Sequence, residues 1–280
     1  MELFGSGGWL GFGLGVGNTY ISIVTSVTME YPISGAMMVS RGNELFVESL
    51  KAMVAAHPDE ITLWVDRTRV KKSDIKKIVK GMDINIPITV ETQVKYTKDK
   101  ARHHDNITAT FHHMIKNAEH KVVIISDDDD FIRFDARLYA PIIYHNPYVG
   151  VIYGDARAEY SDGRTRIRRS EKITNPHMGN MMRGSCQVYN RDAFIEASKH
   201  IDINNKHLFK GELPEWFGYF LDWHPPYWLC RLGYTLMYTD KIFCIQNVNV
   251  EPTEDRKNLY GRWGEVCGVY DTLRLMGETS

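Results

Sequence analysis

The stretch KVVIISDDDDFI, Lys121 to Ile132, sets four consecutive aspartates directly after an apolar, β-branched run. Val122 to Ile125 read as a strand buried on both faces, the kind that parallel sheets use. Phe131 and Ile132 resume apolar character at once, which a freely solvated acidic loop does not need. Adjacent carboxylates repel, and each one held against an apolar strand end costs free energy unless a cation or a donor meets it. Something positive is expected there. Mg²⁺ and Mn²⁺ are the hard cations that carboxylate oxygens suit, and Mg²⁺ is usually held by one or two carboxylates plus substrate phosphates.

Upstream of this run the chain has a strand, loop, helix rhythm. Tyr20 to Thr28 is strand-like, Ala36 to Val39 is a short apolar run, and SRGN is a turn. Leu45, Phe46, Leu50 and Met53 then recur at helical spacing until His57-Pro58 ends the helix. Ile61 to Val65 reads as a buried strand ending at Asp66, Val70 to Met82 as a basic amphipathic helix, and Ile86 to Val90 as another strand. Ile107, Phe111, Met114 and Ile115 mark a helix over His104 to Ala118. Repeated βα units predict an α/β fold with a mostly parallel central sheet and helices on both faces. Ligands of such sheets bind beyond the carboxyl ends of the strands. Asp66 and Asp127 to Asp130 both fall there.

Downstream, GVIYGDARAEYSDGRTRIRRSEK predicts a β-hairpin turning at Asp162-Gly163. A loop, a short strand and a helix starting near Arg191-Asp192 follow. The aromatic segment GELPEWFGYFLDWHPPYWLCRLGY is expected to break at Pro225-Pro226, and LMYTD and IFCIQNV to form a final strand pair before a polar tail.

With 280 residues, 43% hydrophobic and 25% charged, the chain can bury a substantial core. Its formal net charge of -1 excludes a whole-protein field for nucleic acid or acidic membranes, so any basic surface is local. Cys186, Cys230, Cys244 and Cys267 lack zinc or disulfide spacing and fit a reducing, cytoplasmic setting. Residues 1–19 are apolar but carry seven glycines and no basic flank; they read as a Gly-rich leader, neither signal peptide nor membrane span. GSGGWLGFGLG lacks the Lys-Ser/Thr ending of a P-loop. The pairs His103-His104 and His112-His113 lack the i, i+4 spacing of a zinc helix and read as ordinary helical histidines.

The order MMVSRGNELFVESLKAM, ITLWVDRT, DNITATFHHMIKNAEHKVVIISDDDDFI and GVIYGDARAEYSDG resembles the nucleotide-sugar glycosyltransferases of the GT-A fold, above all family 2, from about Ser34 to about Asn247. The resemblance implies one continuous domain with a nucleotide-sugar half over residues 20–160, an acceptor half over 161–250 and a tail over 251–280. It implies transfer of a sugar from a nucleotide-sugar donor, in this family commonly UDP-linked, to a hydroxyl acceptor with inversion, helped by Mn²⁺ or Mg²⁺. Ser40 and Arg41 then occupy the first-strand turn that contacts the nucleotide, and Asp66 the acid that accepts from the base. Asp127 and Asp129 match the metal-binding DxD, with Asp127 and Asp128 beside the nucleotide sugar; the run also allows Asp128 with Asp130. Where the family carries Arg-Asn, this chain has Asp105-Asn106 with Arg102 just upstream, so Arg102 and Asn106 stand as diphosphate-side candidates. The final strand holds Gln246 and Asn247 where some metal-dependent relatives place a histidine.

The family's catalytic base matches Asp222, with Trp228, Leu229 and Arg231 in the aromatic-Leu-x-Arg pattern that follows. Here Leu221, not an acid, precedes it, and Glu212 and Glu215 are rivals. GNMMRGS resembles the acceptor-side loop, which adds Met182 and Arg183, with Trp223 and Arg231, to the acceptor side. Acceptors in the family are diverse; a glycan, a small molecule and, for a viral protein acting in host cytoplasm, a hydroxylated DNA base all remain open. Arg164, Arg166, Arg168 and Arg169 alternate partly as on a strand and are the residues through which DNA would bind. A nucleotidyltransferase would carry a Gly-rich signature and Lys after the first strand, which SRGNELF lacks. A non-catalytic binding module of the same fold is the alternative from another class.

Overall fold

The β-branched runs set the sheet, and the alternation within them sets its two faces. The structure, a computed structural model, describes residues 30–94, 103–176, 178, 182, 186–200 and 224–248, with backbone alone for 103–108. In chain order the elements are β1 (Ile33–Val39), α1 (Glu44–Ala55), β2 (Glu60–Val65), α2 (Lys72–Lys80), β3 (Ile88–Thr92), α3 (His103–Lys116), β4 (Val122–Asp127) and β5 (Asp130–Ile132). They continue with α4 (Ala140–His145), β6 (Val149–Tyr160), β7 (Thr165–Arg168), β8 (Gln187–Asn190), α5 (Arg191–Ser198), α6 (His224–Arg231) and β9 (Thr235–Val248).

The strands form one nine-stranded sheet in the order β3-β2-β1-β4-β8-β6-β9-β5, with β7 paired to β6. The expected parallel order holds through β3, β2, β1 and β4, with a helix between each strand and the one that follows it in the chain. Beyond β4 the sheet is mixed: β8 is antiparallel to β4 and β6, β6 and β9 are parallel, and β5 is antiparallel to β9. In β4, Val122 and Ile124 enter a cluster with Phe46, Leu50 and Met53 of α1 and Ile143 of α4, while Val123 and Ile125 enter one with Phe111 and Ile115 of α3, Phe194 of α5 and Tyr227 of α6. Both faces are therefore covered, as continuous Val/Ile strands require.

Local signals account for several boundaries. Asn43 caps α1 by accepting from the Phe46 N–H, and the chain leaves that helix through His57 in the left-handed region at φ 61°. Asn190 caps α5 from the end of β8 while its Nδ2 donates to the Pro147 and Val149 carbonyls at 3.1 and 3.0 Å. The β6–β7 hairpin turns as expected, with Gly163 at φ 83°.

Two expectations are corrected. Pro225 and Pro226 do not break the chain but lie in the first turn of α6, where a missing N–H costs nothing because it has no intrahelical partner. LMYTD and IFCIQNV are not a strand pair but one 14-residue strand, β9. Its pairing with β6 shifts register around Tyr153 to Ala156. A Cβ on Gly154 would stand 2.4 Å from the Lys241 carbonyl oxygen and from the Phe243 ring, so only glycine admits the irregular passage. The strand expected over Tyr20 to Thr28, the leader and the C-terminal tail lie outside the described residues.

Candidate functional site

Parallel pairing lines up the carboxyl ends of β1, β2 and β4. Val39 is in register with Val65 and Met38 with Asp127, and the Asp66 N–H donates to the Val39 carbonyl at 2.8 Å. Ser40 and Arg41, Asp66, and Asp127 to Asp130 therefore emerge side by side at one edge. That edge is where an open α/β sheet offers its crevice.

Asp128 points under the turn instead of out of it. It is 3% exposed, and its Oδ2 accepts the backbone N–H groups of Ser40 and of Arg41, each at 2.6 Å. The Ser40 hydroxyl donates to Oδ1 at 3.2 Å, and Arg41 Nη1 lies 3.4 Å from Oδ1. Burial pushes this carboxyl above the ordinary carboxylate range, opposed by the Ser40 N–H and the Arg41 charge. The β1–α1 loop and the acidic turn are thus one unit, clamped by Asp128, which the sequence reading set beside the nucleotide sugar and not beneath the turn.

Asp129 faces the other way. Its side chain is 28% exposed, and its Oδ2 meets Arg41 Nη1 at 2.5 Å. Asp127 ends β4 half-buried, whereas Asp130 begins β5 at 6% exposure, its backbone paired with Gln246. Ser126 Oγ lies 3.0 Å from the Asp127 carbonyl and 3.3 Å from that of Asp130, closing the turn from beneath. Asn247 Nδ2 donates to the Asp129 carbonyl at 2.6 Å, so a side chain of β9 supports the backbone of the turn. Asp127 and Asp129 are the partly exposed members of the run, alternating with buried Asp128 and Asp130.

Asp66 is 6% exposed; its Oδ1 accepts from the Thr68 N–H at 2.9 Å and from the Thr68 hydroxyl at 2.7 Å, and its Oδ2 is 3.6 Å from Arg69 Nε. The turn after β2 is built around this carboxylate. Met182 is buried in the cluster beneath α3, α5 and α6, and Arg231, in the last turn of α6, has its guanidinium 6.0 Å from the Tyr227 ring centre. Arg102, Arg183, Asp222, Trp223, Glu212, Glu215 and the side chain of Asn106 lie outside the described residues.

The arginines expected to form one arm are dispersed among partners. Arg164 pairs with Asp162 at 2.7 Å, Arg168 donates to Gln246 at 3.1 Å, and Arg169 pairs with the buried Asp155 at 3.2 Å. Arg166 is exposed on the edge strand β7. Among the described residues, the group able to surround a metal with three His or acidic ligands is Glu60, Glu119 and His120. It sits at the start of β2 and before β4, at the opposite end of the strands, where Glu60 Oε1 already accepts from the Ser34 hydroxyl at 2.7 Å and the Glu119 N–H at 3.2 Å.

No family model and no curated protein matches the chain. Solved structures do: residues 1–349 of S. aureus TarS superpose with a TM-score of 0.51 at 13% identity, covering 83% of this chain and 70% of that one. GalNAc-T7, solved with UDP, GalNAc and Mn²⁺, matches with a TM-score of 0.51 at 13% identity over 84% of this chain and 48% of its own. The chain spans 38% of the longer TarS structure. The fold is that of the GT-A glycosyltransferases, as the order of motifs along the chain implies.

Proposed function

We propose that this protein is a metal-dependent glycosyltransferase that moves a sugar from a UDP-sugar to a hydroxyl acceptor with inversion. The observation that carries the reading is the meeting of Asp66, the Ser40–Arg41 turn and Asp127 to Asp129 at one carboxyl edge of a GT-A fold. The UDP and Mn²⁺ in the GalNAc-T7 structure suggest the donor and metal classes. In this reading the half spanning residues 20–160 holds the donor and residues 161–250 the acceptor.

Breaking the bond between sugar and phosphate leaves a nucleoside diphosphate, whose developing charge has to be met. Asp127 and Asp129 would hold a divalent cation, which would supply positive charge at the departing phosphates. Asp66 accepts from the base, and Asp128 acts beneath the turn by fixing Ser40 and Arg41 against it. Asp222 takes the proton of the acceptor hydroxyl, with Arg183, Trp223 and Arg231 on the acceptor side and Arg102 and Asn106 near the diphosphate. The partial exposure of Asp127 and Asp129, against the burial of Asp128 and Asp130, supports this register.

The test is release of UDP from a panel of UDP-sugars, with Mn²⁺ and with EDTA. Metal-dependent release that falls by roughly 10²-fold or more in Asp129→Ala is expected, the scale of losing an electrostatic stabiliser of the departing group. Release of nothing from any donor with metal present would instead leave a binding module of this fold.

A further inference from the structure

Arg41 divides into two parts held by different residues. Its backbone N–H is bound by buried Asp128 at 2.6 Å, whereas its guanidinium, on a side chain 33% exposed, lies 2.5 Å from Asp129 Oδ2 and only loosely, at 3.4 Å, from Asp128 Oδ1. The loop backbone is held by Asp128 and the guanidinium by Asp129. A long side chain on a clamped hinge can leave its partner without moving the backbone that carries it.

We propose that Arg41 is a tethered cation which pairs with Asp129 and has to leave it when a divalent metal binds, so that metal and diphosphate bind cooperatively. This rests on the metal-dependent transfer proposed above and adds to it a residue that sets the coupling between the two ligands. Four adjacent carboxylates need a positive charge even when no ligand is present, and the guanidinium, which keeps its charge at any working pH, supplies one from within the chain. The oxygen it holds belongs to Asp129, one of the two partly exposed carboxylates to which the metal is assigned above. A guanidinium and a divalent cation beside the same carboxylate repel each other, so metal binding alone is opposed. Once released, the planar guanidinium fork suits phosphate oxygens, which offer it a replacement for Asp129. Linkage then makes the effect reciprocal: a diphosphate that draws Arg41 away tightens metal binding by the same factor as metal tightens the diphosphate.

The experiment titrates Mn²⁺ into the full chain by calorimetry and by the electron paramagnetic resonance of free Mn²⁺, with and without UDP, for wild type, Arg41→Gln, Arg41→Lys and Asp129→Asn. Wild type is expected to bind Mn²⁺ weakly alone and at least tenfold more tightly with UDP. Arg41→Gln is expected to bind Mn²⁺ alone roughly tenfold more tightly than wild type, to bind UDP more weakly, and to lose most of the coupling; Arg41→Lys falls between, because it keeps the charge but not the fork. Circular dichroism melts confirm that the variants are folded. If Arg41→Gln binds Mn²⁺ within twofold of wild type while Asp129→Asn abolishes binding, the tethered-cation inference is wrong and the metal site stands. If wild type binds no Mn²⁺ even with UDP, or Asp129→Asn binds it unchanged, the metal-dependent reading fails and takes the inference with it.

Discussion

Asp128 and Ser40, 88 residues apart, are joined by a 2.6 Å hydrogen bond from the Ser40 N–H to Asp128 Oδ2, and the same oxygen takes the Arg41 N–H. This contact ties the loop after the first strand to the acidic turn after the fourth. Asp128→Ala strips both donors of their acceptor and is expected to lower stability by roughly 1–3 kcal/mol. Asp128→Asn keeps an acceptor oxygen and is expected to cost less. Urea unfolding, with the midpoint moving at constant slope, measures the difference; an alanine variant as stable as wild type would show that the clamp contributes nothing.

Gly154 is expected to be intolerant of even one added carbon. Alanine there places its Cβ 2.4 Å from the Lys241 carbonyl oxygen, so β6 or β9 has to move, at a cost of about 1–3 kcal/mol or more. Gly163→Ala is the control: nothing lies within 4 Å of its added carbon, and only the left-handed backbone resists, by roughly 1–2 kcal/mol. Thermal melts of the two variants separate a packing clash from backbone strain.

Asp155 is a second buried carboxylate with a full set of donors. Ser170 N–H, Tyr238 hydroxyl and Arg169 Nη1 reach it at 2.8, 2.9 and 3.2 Å, joining β6, β9 and the segment after β7. Asp155→Ala is expected to destabilise by at least about 1.5–3 kcal/mol, the range for a hydrogen bond to a charged group. Arg169→Ala is expected to cost far less, since that arginine is 74% exposed and its ion pair is screened by water. Equal losses in the two variants by denaturant unfolding would contradict this division.

Tyr153 should respond to alkali late. Burial raises its phenol from 10.0 to about 12, and the hydroxyl donates to the Glu171 carbonyl at 2.7 Å while accepting the Ile173 N–H at 2.9 Å. The fold favours the protonated form, so the stability it contributes is complete below pH 10.0 and is lost as pH rises through about 12. Ultraviolet titration of tyrosinate is expected to lose a late-ionising component in Tyr153→Phe. The same variant, by leaving the buried Ile173 N–H unmatched, should lose roughly 1–3 kcal/mol near neutral pH.

Patterns local to the chain were legible in advance. The apolar runs of β1, β2 and β4, the helical spacing of Phe46, Leu50 and Met53, and the Asp162-Gly163 turn each carry their own physical cause within a few residues. So did the ends of the strands, which is why Asp66 and the aspartate run were expected on one edge of the sheet. The single strand β9 was not legible, because Thr239 to Lys241 look like a turn until the glycine of another strand makes room for them. The proline pair likewise reads as a break unless the start of α6 is known to fall on it.

Within KVVIISDDDDFI, sequence by itself determined that a buried strand ends in more negative charge than it can hold alone, and hence that a positive partner is required. Only the tertiary structure decided how the four carboxylates divide: Asp128 inward to the Ser40 and Arg41 backbone, Asp129 outward to the Arg41 guanidinium, Asp130 into the pairing with β9. The reason is that a charge run fixes a local excess, whereas which oxygen meets which donor depends on strands brought together from 88 and more residues away.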